Sequence, residues 1–586
     1  MRAQLSPRRF WFLYAVLFVL FGLIVFQIIQ LTWFHQSALL AVAHRQQYLA
    51  VETPPLRGPI TDRNGKEFVT NLKIPSIYAV PRILSHEERK TLSSELAKIL
   101  GLEQKRLLEK LKKDKSFVWI KRRVTFEEAN KVKKLGNPAL GVIDEYKRFY
   151  PQGPMLAQVL GFSNVDNQGL DGIELFMDNE LRGKPGKRIT KRDALGREIK
   201  AFEIKALPAI DGNRIVLTID QRLQYLTEKS LELAFKQWKA KGAWAIVMDP
   251  WTGEILAMAN QPGFDPNSYD KSTAETKRNR AVTDMYEPGS VFKIVTASGA
   301  LNEGVITPET KINCENGKWH WGYKVLHDVH PYGILSMTEV IVKSSNIGTV
   351  KIGLKLGPTK LQQYIKGFGF GAYTGIDLGG EAPGYTRPPS QWSKTSPYNI
   401  PIGQEVMVTA LQMVTAISVI ANGGYLVKPY IISKIQDSVG VVLKQKKPLI
   451  KQKVINAETA ATMRKILTQA VEAGTGTKAK IPDIPVAGKT GTAQKVLPGG
   501  KGYSHNTFVS SFIGFAPADN PRYAMVVVLD EARPLYYGGT VAAPVFKEVM
   551  EAALLTQVQD FQTKRPSIPT PISDHTPSTA DLAVAD

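Results

Sequence analysis

The first pattern along the chain is an unbroken apolar one: residues 10–34 pass without a single Asp, Glu, Lys or Arg. Wound as a helix at about 1.5 Å per residue, they reach roughly 37 Å, enough to cross a bilayer core with some tilt. Arg2, Arg8 and Arg9 precede the run, which predicts a cytoplasmic N-terminus and export of all that follows. Ala41-Val42-Ala43 resembles a signal-peptide cleavage site. A signal's apolar region spans only ~7–15 residues, however, so an uncleaved anchor is the preferred reading. No second stretch is long and apolar enough to span, which predicts a single-pass protein.

Beyond the anchor the pattern turns amphipathic. Residues 36–50 read as a helical stalk, stopped by Pro54-Pro55. Asn64-Gly65 suits a tight hairpin turn. Residues 85–135 are rich in Leu, Glu and Lys at helical spacing and predict two or three surface helices. Residues 148–206 mix Gly, Pro and charge with short strands, which reads as an extended, irregular module.

Near Asp211 the pattern changes to short apolar runs. Residues 215–219 predict a strand, followed by a helix to about Trp238. Residues 243–248 and 255–260 flank Asp249-Pro250-Trp251-Thr252-Gly253-Glu254 as a hairpin. Residues 507–515 and 523–529 form a second hairpin around Ala518-Asp519-Asn520-Pro521. Helices are predicted between them, including 291–303 and 406–421. Strands at both ends with helices between predict an α+β domain whose antiparallel sheet is closed by its first and last segments. From about Gln562 the chain is rich in Pro, Ser and Thr and reads as disordered.

Composition narrows the picture. A chain of 586 residues exceeds one core and predicts two to four domains. The net charge of +22 has two readings, a solvated basic surface or attraction to an anionic partner such as lipid headgroups, wall polymer or nucleic acid. Residues 105–134 are basic but carry no nucleic-acid motif, and the export signal contradicts that partner. The single cysteine, Cys314, excludes an intrachain disulfide and a Cys-based zinc cluster.

Three short motifs carry the chemistry, in the order Ser290-Val291-Phe292-Lys293, Ser344-Ser345-Asn346 and Lys489-Thr490-Gly491-Thr492. Serine is a poor nucleophile without a base in reach. A helix starting near Gly289 puts Ser290 and Lys293 on one face. Burial beside a second cation would depress the amine enough to accept the serine proton. The apolar neighbours Val291, Phe292, Ile294 and Val295 predict that burial. Lys489 follows the apolar run Ile484-Pro485-Val486-Ala487 and is placed on a strand. Its amine and the hydroxyls of Thr490 and Thr492 suit a carboxylate, while Gly491 leaves room for a substrate backbone. Each pattern also occurs by chance: Ser268-Tyr269-Asp270-Lys271 imitates the first and Ser504-His505-Asn506 the second. Only the ordered set stands out.

That set resembles penicillin-binding proteins and class A β-lactamases. The wider match is to class B penicillin-binding proteins, membrane-anchored peptidoglycan DD-transpeptidases, and runs from the anchor to about residue 555. Arg57-Gly58 through Asp62-Arg63-Asn64-Gly65 and Gly169-Leu170-Asp171-Gly172-Ile173-Glu174 resemble signatures of the family's non-catalytic pedestal. Tyr286-Glu287-Pro288-Gly289-Ser290 and Tyr537-Gly538-Gly539 resemble further family segments, and Asp328-Val329-His330-Pro331-Tyr332-Gly333 resembles the division-type (FtsI-like) branch. The resemblance implies a cytoplasmic tail over 1–9, an anchor over 10–34, an α+β pedestal over 35–210, an α+β serine transpeptidase domain over 211–555 and a disordered tail over 556–586.

It also implies roles. Ser290 would attack the penultimate D-Ala carbonyl of a stem peptide, with Lys293 as base. Ser344 would relay a proton with help from Lys489, and Asn346 would bind the donor backbone. Thr490 and Thr492 would hold the terminal carboxylate, and the backbone N–H groups of Ser290 and Thr492 would form the oxyanion hole. The implied partners are donor and acceptor stem peptides, β-lactams and an FtsW-like glycosyltransferase with other division proteins of the inner membrane. No cofactor or metal is implied. Two departures argue against a β-lactamase: Ser345 stands where class A enzymes carry Asp, and no Glu followed by x-x-Leu-Asn lies between Asn346 and Lys489. A long-lived acyl-enzyme is therefore expected to wait for an amine rather than water.

Overall fold

The computed structural model describes residues 7–34, 48–192, 198–321, 324–497, 499 and 502–555. Most of the anticipated stalk and the tail lie outside the described residues. A helix, Pro7–Ile29, runs into a π-helical turn, Gln30–Phe34. Within residues 10–33 the most apolar 18-residue window has a mean hydropathy of 2.7 and none of it is buried, so this helix is long and apolar enough to cross a membrane.

The chain divides into two compact units. One comprises Met1–Leu56, Leu72–Lys147 and Gly183–Asp211. In it the strand Tyr48–Thr53 pairs antiparallel with Gly186–Arg192, which pairs in turn with Glu198–Leu207. The helical stalk therefore does not extend to residue 50, because the sheet captures this backbone. Three helices, His86–Leu100, Gln104–Leu111 and Phe126–Lys134, match the amphipathic stretch. Ser85 with Glu88 and Thr125 with Glu128 form capping boxes that satisfy the first N–H groups of two of them. Leu92, Leu96, Leu107, Leu111 and Val132 make their shared core.

The other unit comprises Arg57–Asn71, Arg148–Arg182 and Gly212–Asp586. Its five-stranded antiparallel sheet contains β1 (Gly242–Met248), β2 (Ile255–Gln261), β3 (Ala487–Val496), β4 (Tyr503–Ala516) and β5 (Tyr523–Asp530). The order is β2-β1-β5-β4-β3, so the last strand joins the first, as the hairpin pattern anticipates. Both faces are covered, which explains the near-continuous apolar runs. Trp244, Ile246 and Met248 point into one core, Ala245 and Val247 into the other. One face carries α1 (Gln221–Gln237) and the C-terminal helix Ala543–Leu555. The other carries α2 (Lys293–Asn302), α3 (Asn346–Leu356) and the fully buried α4 (Ala410–Ala421). The anticipated helical turn at 406–409 is instead extended, since Val408 bridges to Tyr286.

Residues 148–182, which read as extended and irregular, are compact because a buried ion cluster organises them. Glu174 is fully buried and accepts from Arg57 Nε and Arg148 Nε, each at 2.6 Å. Arg57 also reaches Asp178 at 2.6 Å, and Arg148 Nη2 donates to Gly58 O at 2.7 Å. The Asn64-Gly65 turn forms as expected, with Gly65 at φ +87° joining Thr61 to Glu67.

Candidate active site

Ser290 lies in a 3-10 turn, Gly289–Phe292, and the α-helix begins only at Lys293. The turn, rather than a regular helix, puts residue 290 at the start of α2. Gly289 makes this possible: it sits at φ +56°, and its N–H donates to Gly403 O at 3.1 Å. Ser290 is half-buried, and among the described residues its hydroxyl has no hydrogen-bond partner.

Lys293 is fully buried. Its Nζ lies 2.7 Å from Ser344 O, 2.8 Å from Asn346 Oδ1 and 3.2 Å from Ser344 Oγ. Burial first, and then the nearby Lys489 amine, push Lys293 well below the ordinary lysine range, with Asp328 opposing. The desolvation expected from its apolar neighbours is therefore present.

The second motif follows the short helix Met337–Val342. Ser344 takes the left-handed conformation at φ +60°, rare for a side chain without local amide chemistry. This kink turns both its carbonyl and its hydroxyl towards Lys293. Ser345 faces away from the lysines and caps α3, accepting from Gly348 N–H at 2.9 Å. Asn346 is held at both ends, since its Nδ2 donates to His327 O at 3.0 Å while Oδ1 meets Lys293.

Strand β3 is the outermost of its sheet, and among the described residues one of its edges has no strand partner. Lys489 is buried on it, and its Nζ donates to Ser344 Oγ at 2.9 Å and Thr490 O at 3.2 Å. Burial lowers its pKa to about 7. Thr490 Oγ1 lies 2.6 Å from Thr475 Oγ1, and Thr492 Oγ1 accepts from Gly538 N–H at 3.1 Å. Gly491 has a packing reason beyond any room for substrate. A Cβ there would stand 2.4 Å from Ser511 Oγ, 2.9 Å from Val291 Cγ1 and 3.1 Å from Pro288 O. Only glycine lets the strand close on the Ser290 turn.

Lys293, Ser344, Asn346 and Lys489 thus form one hydrogen-bonded group, with the Ser290 turn packed on β3. The two imitators lie elsewhere. Ser268 sits in the irregular turn Pro266–Lys271, whose Tyr269 stacks on Phe162. Ser504 Oγ accepts from Asn506 and Thr507 N–H groups.

Two residues escaped the motif reading. Asp328 accepts Ser345 Oγ–H at 2.6 Å and the N–H groups of Asn346 and Ile347, the latter at 3.0 Å. Segment 328–333 carries a family likeness, but no spacing links Asp328 to the second motif. Glu287 is buried three residues before Ser290. It belongs to the family-like segment 286–290, but neither that likeness nor the Ser-x-x-Lys spacing gives it a role.

Comparison with known proteins agrees with this geometry. Residues 243–551 match the penicillin-binding protein transpeptidase domain, and residues 52–217 match the penicillin-binding protein dimerisation domain. The chain is 36% identical to stage V sporulation protein D of Bacillus subtilis, covering 92% of this chain and 85% of that protein. It is 33% identical to peptidoglycan D,D-transpeptidase FtsI of Escherichia coli, covering 85% and 83%. The crystal structure of penicillin-binding protein 3 from Mycobacterium tuberculosis complexed with aztreonam matches with a TM-score of 0.68 at 29% identity, covering 88% of this chain and 99% of that one. The chain belongs to the class B penicillin-binding proteins, serine-type peptidoglycan D,D-transpeptidases. Its substrate is peptidoglycan, and membership of this family carries the binding of β-lactams.

Proposed function

We propose that Ser290 is the acylated serine and that this enzyme cross-links stem peptides at the division septum. The observation that carries the assignment is the pair of buried amines of Lys293 and Lys489 meeting on Ser344 Oγ. Two ammonium groups so close disfavour each other, and burial disfavours both, so a neutral amine is available. Neutral Lys293 has two N–H groups for its three neighbouring acceptors and a lone pair left to take the Ser290 proton. The Ser290 oxygen then attacks the carbonyl of the penultimate D-Ala. The C–N bond to the terminal D-Ala breaks, and that amine takes a proton from Ser344, replenished through Lys489. Ser344 Oγ receives N–H groups from both lysines, which leaves its own proton free to point at the leaving group.

Thr490 and Thr492 hold the terminal carboxylate in this reading, Asn346 positions the donor backbone, and the free edge of β3 receives the extended peptide. The backbone N–H groups of Ser290 and Thr492 form the oxyanion hole. An amine from a neighbouring stem resolves the ester. Catalysis belongs to residues 211–555 and a pedestal to 35–210, while the tail over 556–586 lies outside the described residues. The N-terminal helix anchors the protein with residues 1–9 in the cytoplasm and the site on the extracytoplasmic face of the inner membrane, where an FtsW-like glycosyltransferase and other division proteins are the fitting partners.

Labelling the purified full chain with a fluorescent penicillin tests the nucleophile. Ser290→Ala should abolish labelling and Ser268→Ala should leave it intact; the reverse result would reject the assignment. A topology reporter fused beyond residue 36 should read extracytoplasmic. Depletion should produce filaments; round cells would instead place the enzyme in elongation. The 36% identity to a sporulation protein supports a second reading, in which depletion leaves growing cells normal and impairs spores.

A further inference from the structure

We propose that Glu287 is a positioning residue for acyl transfer, an uncharged carboxylic acid that clamps the Ser290 turn to residues 403–408 and to the β3–β4 hairpin. The inference rests on Ser290 being the nucleophile. Glu287 Oε1 accepts two hydrogen bonds, from Glu405 N–H at 2.9 Å and from Tyr503 O–H at 3.2 Å. Oε2 is buried and has no hydrogen-bond partner among the described residues. Both donors thus converge on one oxygen while the other has none. This asymmetry suits a neutral acid, whose carbonyl oxygen accepts and whose hydroxyl occupies the second position. An ionised carboxylate would place part of its charge on Oε2, which no donor among the described residues stabilises, and that costs more than an unpaired hydroxyl.

The clamp joins the pieces that must keep register during acylation. Tyr286 and Val408 exchange backbone hydrogen bonds at 3.0 and 2.9 Å, and Gly289 N–H donates to Gly403 O at 3.1 Å. Glu287 supplies the side-chain link within this ladder. Tyr503 pairs with Val496 at the far end of the strand that carries Lys489 to Thr492. Through Tyr503, then, Glu287 ties the nucleophile turn to that strand. Glu405 cannot take over the task. Its carboxylate is engaged by Arg387, by Ser396 Oγ at 2.6 Å and by Asn399 Nδ2 at 2.7 Å, and its backbone is left-handed at φ +61°.

The titratable and charged groups around Glu287 are Glu405, Tyr503 and, through Glu405, Arg387. Burial is the main effect and the Glu405 carboxylate adds to it, so the Glu287 pKa rises to about 7. A carboxyl raised in the folded state favours its neutral form. The buried seat of the clamp is therefore most stable at low pH and weakens as pH rises through about 7, where Oε2 takes up charge in a buried place although both donors still favour the carboxylate.

The test is the rate at which fluorescent penicillin acylates the detergent-solubilised full chain between about pH 5.5 and about pH 9, spanning both limbs of a bell-shaped profile. Glu287→Ala should slow acylation on the order of 10–100-fold, the scale of a small misplacement of reacting groups. Glu287→Gln keeps a carbonyl oxygen and an uncharged donor. It should restore the rate at low pH and abolish the wild-type decline on the alkaline side. Tyr503→Phe removes one donor without removing the carboxyl and should slow acylation in the same direction.

A Glu287→Gln enzyme as slow as Glu287→Ala would overturn the neutral clamp, as would an alkaline decline that survives in Glu287→Gln. An unchanged rate in Tyr503→Phe would overturn the link to the hairpin. Ser290→Ala in the same assay separates the two readings: labelling that persists there rejects the nucleophile, not the clamp.

Discussion

Lys293 Nζ lies 2.8 Å from Asn346 Oδ1, and the other end of the same amide donates to His327 O at 3.0 Å. The second contact decides which end of the amide faces the lysine. Asn346→Asp would set an oxygen against His327 O and a new anion beside Lys293, which holds the amine protonated. Acylation at neutral pH should fall on the order of 100-fold, the lower range of what a general base contributes, and the rising limb should move to higher pH. Penicillin labelling rates across pH read both effects. An unshifted limb would mean that Lys293 is not the titrating base.

The wild-type rising limb has its own expected position. Burial lowers Lys489 to about 7, and burial with the neighbouring Lys489 amine holds Lys293 well below the ordinary lysine range. The pair titrates together, so acylation should climb with pH and approach its plateau near or below about 7. Between that value and the ordinary lysine range the unfolded chain binds more protons than the folded one. The lysines' contribution to stability therefore grows as pH rises through that window. A rate flat from acid to neutral pH would contradict the depressed amines.

Asp328 holds the second motif from outside it. Its carboxylate receives the Ser345 hydroxyl and the first two N–H groups of α3, and it opposes the fall in the Lys293 pKa. Asp328→Ala takes the acceptor from two backbone N–H groups and leaves the Ser345 hydroxyl only Cys314 Sγ at 3.4 Å, so it should lower stability by about 1–3 kcal/mol while slowing acylation. Asp328→Asn can keep an oxygen on the backbone N–H groups and turn its amide to Ser345 Oγ. It should therefore keep the fold, and its rising limb should shift to lower pH because Lys293 loses an anion. Melting curves and labelling rates together separate the two variants; identical behaviour would dismiss the charge.

Gly491→Ala examines the fit between β3 and the Ser290 turn. The added carbon meets Ser511, Val291 and Pro288 at 2.4 to 3.1 Å, and Pro288 O belongs to backbone. The expected cost is about 1–3 kcal/mol of overpacking. The displaced Ser290 turn should cost acylation more than substrate affinity, so the maximal rate should fall while half-saturation changes little. A fall in affinity alone would return glycine to the role of making room for substrate.

Much of this architecture was legible because apolar runs bounded by turn residues mark its elements even where every face is buried. The hairpins around Asp249 and Asn520 and the apolar helix behind Lys293 follow directly from them. What stayed hidden depends on long-range contact. Tyr48 and its neighbours become a strand because Gly186–Arg192 pairs with them. Residues 406–409 are extended because Tyr286 binds Val408. In the site, Ser290, Lys293 and Lys489 could be picked out from motif order, since chemistry dictates the residue types. Asp328 and Glu287 could not, because a carboxylate's role is set by what folds against it.

The buried cluster of Arg57, Arg148 and Glu174 provides a test of stability apart from the chemistry. Both guanidinium groups are 2% exposed and Glu174 not at all. One carboxylate thus compensates two buried cations, with Asp178 assisting Arg57 alone. Glu174→Gln removes the charge but keeps the shape, leaving Arg148 with the Gly58 and Arg57 carbonyls and the Asn71 side-chain oxygen. Breaking a buried pair by removing one partner costs about 3–5 kcal/mol. Urea unfolding of the penicillin-binding unit should shift to a lower midpoint with little change in slope. Molecules still folded should acylate at the wild-type rate, because the cluster shares no hydrogen bond with Lys293, Ser344 or Lys489. A lost acylation rate at full stability would instead give these three residues a part in the active site.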